Sequence, residues 1–124
     1  MTPAIPQILA LRKILEMIEK EGKQKRLDLY LARSRKIKKG IESFGLSLFP
    51  EKGYESPTVS CINTTDKPTG LEIYNKMREK GYELAKGYGE VKDRTFRIGN
   101  MGYITMEDID SMLDTLGQIL KEYR

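Results

Sequence analysis

The sequence predicts an α+β layer, in which a three- to four-stranded, mostly antiparallel sheet carries helices on one face and follows a long N-terminal helical element. Three observations predict it. Apolar residues recur at three- and four-residue steps through residues 6–44. After Gly45 the period changes to short β-branched runs broken by prolines and glycines. Two later segments then carry helix-capping signatures. The resulting order is α-α-β-β-α-β-β-α.

The first helix is read from "PQILALRKILEMIEKEG", where Ile8, Leu11, Leu15 and Ile18 form a stripe widened by Leu9 and Ile14. Pro6 suits its first turn and Gly22 its end. A second helix follows almost without a gap. Its apolar face is Leu27, Tyr30, Leu31, Ser34, Ile37, Ile41 and Phe44, and Gly45 stops it. "LSLFP" alternates and is closed by Pro50, so it reads as a short strand. "PTVSCINT" reads as a central strand. Thr69 and Glu72 have the spacing of a capping box, and Ile73, Tyr74 and Met77 give the helix they open an inner face ending at Gly81. "YELAKGYGE" begins extended, and "RTFRIGN" is the next strand. Thr105 with Asp108 caps the last helix, whose inner face is Ile109, Met112, Leu113, Leu116 and Leu120.

With 124 residues, 39% of them hydrophobic, the chain can bury one core. We expect a single domain, with residues 1–44 as the helical element and 45–124 as the sheet layer. No apolar run is long enough to span a bilayer and no signal-peptide pattern opens the chain. The lone Cys61 forbids an internal disulfide, so the expected compartment is the reducing cytoplasm. Cys61 is expected to be a small core residue. Histidine is absent, which removes Ser–His–Asp chemistry, an activating base for Cys61 and most zinc sites, so no metal site is expected. Lys and Glu dominate the charges while Asn and Gln number three each, a bias found in thermophile proteins.

The net charge is +4, and much of it lies between residues 23 and 39, where Lys23, Lys25, Arg26, Arg33, Arg35, Lys36, Lys38 and Lys39 face Asp28 alone. Such a stripe is either the solvated face of a helix or a nucleic-acid footprint. No aromatic residues are interleaved to stack bases, which favours the solvated face.

The stretch "TFRIGNMGYITMEDID" holds the residue that most needs explanation. Arg97 sits in an apolar strand and two glycines, Gly99 and Gly102, follow it. A guanidinium is always charged, so Arg97 must meet an anion or face water. Its planar fork matches a carboxylate or phosphate, but pairing with a nearby Asp or Glu fits the local pattern as well. The glycines suit a tight bend with or without a ligand. Spacing alone leaves these readings open.

Taken together, "TPAIPQILALRKIL" with "IEKEG", "GLSLFP" followed by "SPTVSCI", "KGYGEVKDRTFRIGNMG" and "TMEDIDSMLDTLGQIL" resemble the C-terminal part of the class V, fold-type I, pyridoxal-phosphate-dependent aminotransferases. The resemblance is to the alanine–glyoxylate and serine–pyruvate branch. It implies that Arg97 binds the α-carboxylate of an amino acid or 2-keto acid substrate. It also implies that Thr2 reaches the cofactor phosphate of a neighbouring subunit, and hence a homodimer. By the same resemblance the Schiff-base lysine lies N-terminal to this segment, so no catalytic residue is expected here and the chain is expected to be inactive alone, as a fragment of a longer enzyme. Among the 14 lysines present, Lys86, between Ala85 and Gly87, is the one whose surroundings conflict least with such a role. The helices of residues 6–44 would leave apolar surface exposed in the isolated chain, so self-association is expected. The alternative is a free-standing basic module that binds nucleic acid through residues 23–39.

Overall fold

The structure, a computed structural model, describes residues 3–123. Its elements are α1 (Ile5–Glu21), α2 (Lys23–Ser43), β1 (Ser47–Leu48), β2 (Val59–Asn63), α3 (Gly70–Glu79), β3 (Ala85–Lys86), β4 (Thr95–Gly99) and α4 (Met106–Lys121), with a 3-10 turn at Gly89–Val91. The four strands form one sheet in the order β1-β2-β4-β3, and every pairing is antiparallel. The α+β class and element order read from the sequence are those observed.

Local chemistry accounts for the helix ends. Pro6 occupies the first turn of α1. Gly22, Gly45 and Gly81 take positive φ where α1, α2 and α3 stop. Thr69 accepts from the Glu72 backbone N–H at 3.2 Å, while its own N–H donates to the Glu72 carboxylate at 2.7 Å. Thr105 and Asp108 repeat the arrangement at 3.0 and 2.7 Å. Each box satisfies donors that a helix N-terminus would otherwise leave bare. β1 is shorter than the alternating "LSLFP" run. Phe49 still donates its N–H to the Cys61 carbonyl, but Pro50 has no donor with which to continue.

Strand alternation sorts the sheet into two faces. Ser60, Ile62, Phe96 and Ile98 turn toward the helices and are buried. α2 and α3 pack on that face, and α4 lies between them, touching both. Ile37 and Ile41 of α2, Ile73 and Met77 of α3, and Ile109, Leu116 and Ile119 of α4 complete the core. Removing such a side chain from water is worth about 1.5–3 kcal/mol. One contact sets the spacing of α3 from the sheet: a Cβ added at Gly70 would stand 2.2 Å from the Thr95 carbonyl oxygen, so only glycine allows this approach.

The helical element leaves apolar surface exposed, as expected of residues 6–44. The apolar stripe of α1 is exposed except at Ile18, which is half-buried, and Leu27 and Leu31 of α2 are exposed with it. The buried face of α2 begins at Arg33 and Ser34; before it Tyr30 is half-buried and its carbonyl accepts from Asn100 Nδ2 at 3.5 Å. Cys61 departs from expectation. It belongs to the central strand β2 but points to the face away from the helices, where it is half-buried.

Candidate functional site

The helix-free face of the sheet carries Val59, Cys61 and Asn63 of β2 and Arg97 and Gly99 of β4. Arg97 lies between Cys61 on β2 and Ala85 on β3 in register. It is half-buried there. Its Nε donates to the Lys86 carbonyl at 3.0 Å, which ties the stem of the guanidinium to the edge strand. Neither Nη group has a partner among the described residues, and no Asp or Glu among them forms an ion pair with Arg97. With Nε committed to backbone, what remains is an end-on pair of N–H groups, a geometry suited to both oxygens of one carboxylate.

The two glycines have different reasons. Gly102 has a φ of +85° and so holds a conformation that side chains rarely adopt. Gly99 has no such φ, and a Cβ added to it would meet nothing within 4 Å. What Gly99 adds is open surface two residues beyond Arg97 on the same face of the sheet.

Beyond β4 the chain is held by a residue that the sequence reading assigned to the solvated stripe. Arg33 of α2 is only 5% exposed. Its Nη1 donates to the carbonyls of Asn100 at 3.3 Å and Gly102 at 3.2 Å, and its Nη2 to that of Ile104. Asn100, 2% exposed, donates through Nδ2 to the Pro57 carbonyl at 3.1 Å, and its backbone N–H donates to Thr58 O at 2.9 Å. An arginine within a basic run gave no signal of this burial. The only hint was its neighbour Ser34, which falls on the apolar face of the helix.

Thr2 lies outside the described residues. Lys86 is exposed, its Nζ stacked 4.8 Å from the Tyr74 ring centre. No lysine of the described residues is buried, so none has the desolvated setting that a Schiff-base amine requires. The described residues therefore do not fit pyridoxal phosphate as a covalently held group. They contain no group of three or more His, Cys, Asp or Glu able to hold a metal ion, and no helix long and apolar enough to cross a membrane.

The nucleic-acid reading of residues 23–39 gains no support. Arg33 is spent on backbone carbonyls, Arg26 pairs with Glu21, and Lys36 pairs with Asp110 at 2.5 Å.

No protein-family model matches the chain. Individual relatives do. It is 27% identical over 103 residues to the (S)-ureidoglycine–glyoxylate transaminase of Bacillus subtilis, covering 82% of this chain and 25% of that protein. Against the alanine–glyoxylate aminotransferase of Drosophila melanogaster it is 31% identical over 93 residues, 71% of this chain and 23% of the relative. A crystal structure of an alanine–glyoxylate aminotransferase from Nostoc sp. superposes with a TM-score of 0.88 at 29% identity, covering 97% of this chain and 32% of that one. The chain thus spans about a quarter to a third of the length of these relatives.

Proposed function

We propose that this chain, a homologue of the class V aminotransferases along nearly its whole length, serves as the C-terminal, substrate-carboxylate-binding part of a transaminase. The complete enzyme would move an amino group between an amino acid and a 2-keto acid. The observation that carries this reading is the state of Arg97: anchored through Nε, half-buried, and without a carboxylate partner among the described residues. Among the described residues no acid pairs with Arg97, which speaks against the alternative left open by the sequence.

In this role Arg97 does no bond chemistry. Its two Nη groups take the two oxygens of the α-carboxylate, fixing the position and the rotation of the substrate about one axis. The Nε bond to Lys86 O removes part of the side-chain freedom that binding would otherwise have to freeze. Pyridoxal phosphate and its lysine would be held by segments of the complete enzyme outside this chain, with Thr2 reaching the phosphate in a neighbouring subunit. The exposed face of α1 would be covered in that assembly. On its own the chain would self-associate through it.

A titration of the 15N-labelled chain with pyruvate, a simple 2-keto acid, tests the reading. The Arg97 Nε–Hε resonance is expected to shift in a saturable way, and Arg97→Ala is expected to abolish every pyruvate-dependent shift around β4. A wild-type spectrum unmoved by pyruvate up to high millimolar concentration would remove the assignment.

A further inference from the structure

Arg33 is buried without a counter-ion. No carboxylate lies in ion-pair contact with it among the described residues, and its Nε and the Asn100 Oδ1 are buried with no hydrogen-bond partner. A Tyr30 ring 5.6 Å from the guanidinium carbon gives partial compensation. As a device for stability this is poor, because a well-packed apolar side chain usually does as well as a buried charge, or better. The arrangement has to be accounted for by what it holds.

It holds one thing. The three carbonyls that Arg33 takes belong to Asn100, Gly102 and Ile104, in the segment that leaves β4. That segment has no ladder of its own to fix it. Asn100, three residues after Arg97, is pinned in turn to Pro57 and Thr58, which lead into β2. β2 presents Cys61 directly opposite Arg97. A single guanidinium on the helix side of the sheet therefore fixes the exit of β4, and Asn100 links that exit to the entry of β2. Between them these strands build the face on which Arg97 stands. The planar fork donates to these three carbonyls from two separate nitrogens, whereas a lysine ammonium donates from a single one and does not reproduce that spread.

We propose that Arg33 is a positioning residue for carboxylate recognition, acting through the 100–104 segment on the placement of Arg97 and of the open space at Gly99. This rests on the reading of Arg97 as the carboxylate-binding residue. The two come apart experimentally.

The test uses the whole 124-residue chain, with pyruvate as probe, in wild type, Arg33→Met, Arg33→Lys and Arg97→Ala. Thermal melting and amide hydrogen exchange are followed beside the titration. Arg33→Met is expected to keep the melting transition, speed exchange at residues 101–104, move the free-state Arg97 Nε–Hε resonance, and weaken pyruvate binding roughly ten- to a hundredfold, as a misplaced binding group does. Arg33→Lys keeps the charge but not the fork and is expected to fall between Met and wild type. Should Arg33→Met fail to fold, Arg33→Lys alone decides: binding within twofold of wild type overturns the proposal. Equal pyruvate affinity in wild type and a folded Arg33→Met overturns it as well, while leaving the role of Arg97 standing. If wild type and Arg97→Ala respond to pyruvate alike, the Arg97 reading falls and this proposal falls with it.

Discussion

Gly99 and Gly70 show how differently two glycines in one small protein can be constrained. A side chain at Gly99 would enter open space on the face that carries Arg97, so the fold should accept Gly99→Val. We expect that variant to melt as wild type does, yet to bind pyruvate about tenfold more weakly, since a branched side chain two residues from Arg97 on the same face would crowd a ligand held there. Unchanged affinity in a parallel titration would show that the approach to Arg97 does not pass over Gly99. At Gly70 the added Cβ would meet the Thr95 carbonyl oxygen at 2.2 Å, and backbone would have to move. Gly70→Ala should therefore cost about 1–3 kcal/mol or more in denaturant unfolding, with α3 pushed from the sheet. Arg97 was legible because a permanent charge inside an apolar strand demands an explanation whatever the fold. Arg33 was not, because one arginine among many cations on a helix carries no local mark of being turned inward.

The helices owe their boundaries to short-range hydrogen bonding, and this makes them sensitive to acid. In the two capping boxes the backbone N–H of Thr69 or Thr105, with its hydroxyl second, holds the Glu72 or Asp108 carboxyl below its ordinary range. A depressed folded-state pKa stabilises the fold above the unfolded value, about 4 for these groups, and that contribution disappears as pH falls through the folded value. Asp108→Asn should thus lower stability at neutral pH and make little difference in strong acid, where wild type has lost the same interaction. A parallel dependence on pH for the two proteins in urea unfolding would contradict this. Thr69→Ala removes the hydroxyl of the other box and should cost about 1 kcal/mol at neutral pH, read from the same unfolding curves. These elements were legible in detail, since Thr–x–x–Glu and Thr–x–x–Asp act within four residues of one another.

At the scale of the whole molecule, the apolar face of α1 is the feature out of balance. Leu11 is 59% exposed and Leu15 55%, with Ile8 and Ile14 close to them in value. A contiguous apolar stripe of this kind on an otherwise charged surface marks an interaction site or an aggregation liability. The isolated chain should sediment as a concentration-dependent mixture, and Leu11→Lys combined with Leu15→Lys should leave a monomer with an unchanged melting transition, because neither residue contributes to the core. A wild-type chain that stays monomeric at every concentration would exclude self-association through α1. The pattern of α1 was read correctly as amphipathic. What the pattern lacks is the identity of the surface it meets.

The sequence by itself determined the order of the elements, where the helices begin and end, and which residues share a face of each strand or helix. Those properties rest on contacts between residues close in the chain and on the fixed periods of 3.6 and 2. Only the tertiary structure decided which of those faces is covered. It turned Cys61 outward beside Arg97, buried Arg33 against a segment nearly seventy residues away, and left α1 bare. Periodicity states that two faces differ; which one meets a neighbour depends on where the rest of the chain has gone.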